Sequence, residues 1–196
     1  MNRDIIEQIL PVGVQLLGAR PKDGLGDLVR SYVEAVALGV AAHGRQARAG
    51  EVLYVAGEET RAAIQRQFAP GPPAGVRFKF EMPAGVYFPL WLRHYLQVYP
   101  QTRLVVISAL ERVVPMNTPW EQEQAARVLV ELAHKYDVAV LVLRTLRIVE
   151  ADGSRLGVLS FVAHIDSLAT LVRSFRGGRR CLRVTSRKAE VDVEVV

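Results

Sequence analysis

The sequence predicts an α/β domain in which a mainly parallel central sheet carries antiparallel strands added in the C-terminal third. Apolar runs at residues 52–56, 104–107 and 138–143 have the length and composition of parallel strands that are buried on both faces. Helical patterns lie between these runs, and this alternation is typical of a sheet covered by helices. From residue 147 onward, strand-like segments follow one another directly, which favours antiparallel pairing.

The composition is that of one globular domain spanning residues 1–196. Apolar residues make up 50% of the chain and charged residues 23%, close to the average for soluble proteins. Cys181 is the only cysteine, which excludes a disulfide scaffold. The first ten residues lack a signal-peptide core, and no apolar run approaches the ~20 residues of a membrane span. We therefore expect a cytoplasmic protein.

The first strand is predicted at residues 10–17, and a turn rich in glycine follows it at residues 18–26. A helix then begins, with Gly44 as its predicted stop. Its apolar residues recur at i, i+3, i+4 and i+7 spacing, the pattern of a face packed against a sheet. These residues are Leu25, Leu28, Val29, Tyr32, Val33, Val36 and Val40.

The second strand, at residues 52–56, is followed by Glu58 and Glu59 and then by a helical pattern at residues 61–68. Residues 69–75 are rich in proline and glycine and are predicted to form a surface loop. Beyond this loop, aromatic residues recur at helical spacing, which is typical of a core or an interface. They are Tyr87, Phe88, Trp91 and Tyr95.

A third strand and a fourth are predicted at residues 104–107 and 138–143, with a helix between them. Thr118 is the predicted N-cap of that helix, Pro119 takes its first position, and Glu121 completes a capping box. A strand, a helix and a strand of these lengths predict a right-handed parallel crossover.

The C-terminal third is predicted to be rich in strands. Residues 147–150 and 156–162 flank a turn at residues 151–154, which is a hairpin signal. Further strands are predicted at residues 168–172, 181–185 and 191–196. In such a sheet, ligands bind beyond the carboxyl ends of the parallel strands, where the 18–26 loop, Glu58, Glu59 and Ser108 are expected.

Four segments carry a resemblance to a known family. They are Leu16 to Gly26, with Arg20-Pro21-Lys22 and Gly24; Leu53 to Arg61, with Glu58; Leu104 to Leu110; and Val142 to Arg147, with Arg144 and Thr145. Together they resemble the RecA-like ATPase core of the RepA-type hexameric helicases, relatives of RadA and KaiC. The resemblance implies a RecA-like three-layer fold with a nucleotide-binding P-loop.

The resemblance also implies that the catalytic parts of this loop are lost. Leu25 stands at the position of the lysine that binds the β and γ phosphates, and Gly26 stands at the position of the hydroxyl that binds Mg²⁺. Ser108 stands where an aspartate would hold the metal. Glu58 aligns with the glutamate that polarises water. The degenerate nucleotide site would comprise Arg20, Lys22, Gly24, Leu25, Gly26 and Ser108, and we expect neither ATP nor Mg²⁺ as a cofactor.

Basic residues concentrate near the C-terminus of a chain whose net charge is +5. Such residues are able to contact a nucleic-acid backbone, and the alternative is a solvated sheet edge that resists aggregation. The candidates for nucleic-acid binding are Arg173, Arg176, Arg179, Arg180, Arg183, Arg187 and Lys188.

These observations predict a pseudo-ATPase of the RecA-like type, acting as an accessory, DNA-binding or assembly factor in replication, recombination or repair. The expected partners are DNA and either further copies of the chain or an active RecA-like paralogue, with no membrane. Two alternatives remain open. The first is an ATPase with a variant phosphate loop that uses Glu58 and Lys22, and the second is a regulatory interaction module without nucleic acid.

Overall fold

Strands and helices alternate along most of the residues that the computed structural model describes, namely 3–57, 59–145, 159–173, 180–186 and 190–195. The strands are β1 (Gly13–Ala19), β2 (Glu51–Val55), β3 (Val76–Lys79), β4 (Thr102–Ile107), β5 (Ala139–Thr145), β6 (Ser167–Arg173), β7 (Arg180–Ser186) and β8 (Glu190–Val195). The helices are α1 (Leu25–Leu38), α2 (Arg61–Gln67), α3 (Tyr87–Val98), α4 (Pro119–Tyr136) and α5 (Leu159–Val162), with a 3-10 turn at Leu110–Arg112.

The strands of the described residues form one sheet in the order β3-β2-β4-β5-β1-β6-β7-β8. Every neighbouring pair from β3 to β6 in this order is parallel, whereas β6-β7 and β7-β8 are antiparallel. The predicted fold class, a mainly parallel sheet with antiparallel strands added in the C-terminal third, is confirmed.

Two apolar cores lie on opposite faces of this sheet. On one face, α1 and α2 pack over the strands, and Leu17, Tyr32 and Phe68 are buried there. On the other face, α3, α4 and α5 pack, with Phe88, Leu129 and Phe161 at the centre. Because side chains alternate along a strand, each central strand contributes to both cores. The result is a three-layer arrangement of helices, sheet and helices.

The ends of the two longest helices follow local backbone chemistry. The Thr118 side chain accepts from the Glu121 N–H and the Glu121 side chain accepts from the Thr118 N–H, so the predicted capping box is confirmed. The predicted stop of α1 at Gly44 is wrong. The helix ends at Leu38 because Gly39 takes a left-handed conformation, φ 68°, and its N–H bonds to the Ala35 carbonyl.

Two strand predictions need correction. The first strand begins at Gly13 rather than at residue 10, because the preceding residues fold into a turn that buries Ile5, Ile6 and Ile9 beside α1. The predicted strand at residues 156–162 is wrong over 159–162, which form α5 and bury Phe161 under α4. A short apolar run fits a strand or a buried helix equally well. Residues 147–150 lie outside the described residues.

Candidate functional site

The loop that resembles a P-loop joins β1 to α1 at the carboxyl edge of the parallel strands. The Asp23 N–H donates to the Arg20 carbonyl at 3.2 Å, and both Lys22 (φ 72°) and Gly24 (φ 90°) take left-handed conformations. Gly24 is the N-cap of α1 and offers no side chain to its first N–H groups. The helix therefore begins at Leu25, at the position that the resemblance assigns to the phosphate-binding lysine.

The side chains of this loop provide little for a phosphate group. Arg20 and Lys22 are exposed, and Leu25 is half-buried against the α1 core. Gly26 is exposed, and its carbonyl accepts from the Gln67 side-chain amide at 3.0 Å, which ties α2 to the start of α1. Catalytic P-loops need a cation and a metal-binding hydroxyl in this first turn, and Leu25 and Gly26 supply neither.

The position of the metal-binding aspartate is occupied by a hydrogen-bonded cluster of Tyr54, Gly57, Glu59 and Ser108. The Ser108 hydroxyl donates to Glu59 Oε2 and accepts from the Gly57 N–H at 2.9 Å. Tyr54 donates to Glu59 Oε1 at 3.0 Å. Burial of the Tyr54 side chain and the nearby Glu59 carboxylate raise the pKa of Tyr54, so its phenol stays a donor. The cluster thus links the ends of β2 and β4 through a carboxylate.

A second charged pair lies at the start of α1. The guanidinium of Arg180, at the beginning of β7, rests against Gly24, and its Nη1 is 3.5 Å from Asp27 Oδ2. Burial of the imidazole and the positive charge of Arg180 lower the pKa of His43, which places this guanidinium beside the α1 face of the sheet. Arg180 therefore lies at the phosphate loop, although the sequence predicted it as part of a nucleic-acid surface.

Another of the described C-terminal arginines, Arg183, faces the opposite side of the sheet. Its guanidinium donates to both carboxylate oxygens of Asp192, at 3.0 and 3.2 Å, and lies 3.4 Å from Glu190. Arg183 lowers the pKa of Asp192 through these bonds. Because residues 180 and 183 differ by an odd number along one strand, their side chains do not share a surface.

Several predicted site residues lie outside the described residues. They are Glu58, Arg176, Arg179, Arg187 and Lys188. Arg173 ends β6, where its backbone pairs with that of Arg180. Arg144, from the fourth resembling segment, lines a small cavity with Glu111 and Phe161 on the α4 side of the sheet, away from α1.

The described residues contain neither a metal cluster nor a membrane span. Among those that the structure describes, no group of three or more His, Cys, Asp or Glu side chains is placed to hold a metal ion. None of the described helices has the length and apolar character required to cross a bilayer.

The overall structure is similar to a solved structure of the ATPase domain of a helicase. The two superpose with a TM-score of 0.67 at 13% sequence identity, over 93% of this chain and 80% of that chain. The fold is RecA-like. The sequence matches no protein-family model, and no curated protein matches it significantly. At this identity the similarity shows the RecA-like fold alone.

The RecA-like fold places four side chains at the site that the sequence did not assign to it. Tyr54 and Gln67 carried no motif signal, Glu59 had only its position after a strand, and Arg180 belonged to a basic segment that is distant along the chain. The alternation of β2 did carry a signal for Tyr54, since a tyrosine at the end of a buried strand needs a polar partner for its hydroxyl.

Proposed function

We propose that this RecA-like protein does not hydrolyse ATP and acts through its surfaces as an assembly or accessory factor in replication, recombination or repair. One observation carries the proposal. The Ser108 hydroxyl, at the metal-binding position, donates to the Glu59 carboxylate, while Leu25 and Gly26 replace the cation and the hydroxyl of the loop. Three separate contacts to Mg²⁺ and phosphate are therefore missing from one site.

Charge at the site supports the same proposal. Asp27 and Glu59 both carry carboxylates near the place where a P-loop binds phosphates, and an anion at a helix N-terminus is disfavoured by neighbouring negative charge. A triphosphate would have to approach these two groups without the lysine that normally offsets them. The alternative of an ATPase that uses Lys22 gains no support from the exposed, left-handed position of that residue.

The surface chemistry favours a protein partner over DNA. Val86, Tyr87 and Leu90 are exposed at the beginning of α3, where i, i+3 and i+4 spacing puts them on one side of the helix. Exposed apolar patches are typical of protein interaction sites. Of the predicted DNA-binding residues, Arg180 and Arg183 already have carboxylate partners, and an arginine paired in this way gains less from a phosphate. We therefore propose contact with a further RecA-like subunit.

The proposal predicts no ATP turnover. Phosphate release from Mg·ATP would be measured for the wild-type chain and for Glu58→Gln, each with and without single-stranded DNA. The expected rates of the two proteins are equal to each other and to that of buffer, because the site lacks its metal and phosphate contacts. Turnover by the wild type that Glu58→Gln abolishes would establish the ATPase alternative.

A further inference from the structure

Arg180 reaches the phosphate loop because of the register of the sheet. Ala19, the last residue of β1, pairs with Leu171 of β6, and Arg173 of β6 pairs with Arg180 of β7. Since β7 is antiparallel, its first residue lies at the same edge as the end of β1. Leu182, two residues further, is buried in the α1 core, so alternation directs Arg180 to the α1 face as well.

The contact with Gly24 is close and depends on the absence of a side chain there. A Cβ atom on Gly24 would collide with Nη1 of Arg180. The left-handed φ of 90° at Gly24 also favours glycine. The guanidinium therefore lies directly over the backbone that leads into α1, and the Arg180 side chain is only 25% exposed, whereas that of Asp27 is 81% exposed.

We infer that Arg180 and Asp27 form an autoinhibitory contact that closes the phosphate loop from within. This inference rests on the proposed function and adds a cause to it. The guanidinium covers the approach to the first turn of α1, and the Asp27 carboxylate takes the place that an anion would occupy in the field of the helix N-terminus. The loop is thus closed to phosphate groups by its own ion pair, in addition to having Leu25 and Gly26 in place of its ligands.

The contact is built to open. An ion pair with one largely exposed partner is weak and exchanges readily with solvent ions. Any group that engages Asp27 or Arg180 would free the backbone of the loop. The Arg183–Asp192 pair offers a matched comparison, since it has the same chemistry on the same strand but faces away from α1.

Pyrophosphate binding, followed by NMR through the amide signals of Gly24 and Gly26, tests the inference. The double variant Asp27→Asn with Arg180→Gln is expected to bind at least tenfold more tightly than the wild type, with shifts at both glycines. The matched control, Arg183→Gln with Asp192→Asn, is expected to behave as the wild type. Dispersion of the amide signals in the same spectra reports whether each variant is folded.

The single variant Asp27→Asn gives a second measurement should the double variant fail to fold. It removes the anchor and leaves the guanidinium free to bind an anion, so a gain of similar size is expected. Folded variants that bind pyrophosphate no better than the wild type would overturn the autoinhibitory contact. That outcome leaves the proposed function untouched, because the latter fails only if the wild-type chain turns over ATP.

Discussion

Replacing Asp166 by alanine is expected to destabilise the protein by about 2 kcal/mol, because a buried backbone donor loses its acceptor. Asp166 precedes β6, and its Oδ2 accepts from the N–H of Val14 in β1 at 2.8 Å. Its Oδ1 lies 2.9 Å from His134 Nε2 at the end of α4. Val14 is fully buried, so water cannot replace the lost acceptor. The free energy of unfolding in urea at pH 7 measures the effect.

The control for this variant is Asp166→Asn, which keeps an oxygen for the Val14 N–H and removes only the charge facing His134. We expect it to lose less than about 1 kcal/mol, since an exposed charge pair contributes little. Equal losses in the alanine and asparagine variants would mean that the carboxylate charge, and not the backbone bond, joins β1 to β6.

Replacing Ser108 by aspartate is expected to destabilise the protein by about 1–2 kcal/mol relative to Ser108→Asn, rather than to restore a metal site. The serine hydroxyl donates to Glu59, and an aspartate would place a second carboxylate against the first. Two charges about 4 Å apart repel by about 4 kcal/mol at an effective dielectric constant of about 20, and relaxation of the half-buried Glu59 side chain reduces this repulsion. Urea unfolding of the two variants at pH 7 provides the comparison.

The acid dependence of that difference identifies its cause. As the pH falls toward about 4, one carboxyl group of the pair gains a proton and is then able to donate to the other. The gap between the aspartate and asparagine variants should therefore narrow. If Mg²⁺ instead stabilised Ser108→Asp by several kcal/mol at pH 7, the edge between β2 and β4 would be a metal site that needs only this one residue.

The parts of the fold that the sequence predicted are those specified locally. The runs at 52–56, 104–107 and 138–143 coincide with β2, β4 and β5 because consecutive apolar residues fit a strand buried on both faces. The capping box at Thr118 involves residues three positions apart and was confirmed for the same reason. The strand β3 was missed, since its exposed and half-buried residues alternate over only four positions at the sheet edge.

The site was less predictable because its contacts join distant segments. Arg180 and Gly24 lie in contact although they come from opposite ends of the chain, and only the register of β1, β6 and β7 brings the two together. Glu58 attracted the functional prediction through its resemblance, whereas it is Glu59 that bonds Ser108 and Tyr54. Which of two adjacent carboxylates turns inward depends on backbone geometry after β2 that no spacing rule supplies.

Calorimetric titration with Mg·ATP tests the central claim, that the loop has lost its nucleotide, most directly. The Glu58→Gln form would prevent any turnover, and a parallel titration without metal would separate Mg²⁺-dependent binding from simple anion binding. We expect no binding tighter than about millimolar under either condition. Mg²⁺-dependent binding well below millimolar would contradict the claim and would show that Ser108, Glu59 and the loop backbone together hold a nucleotide.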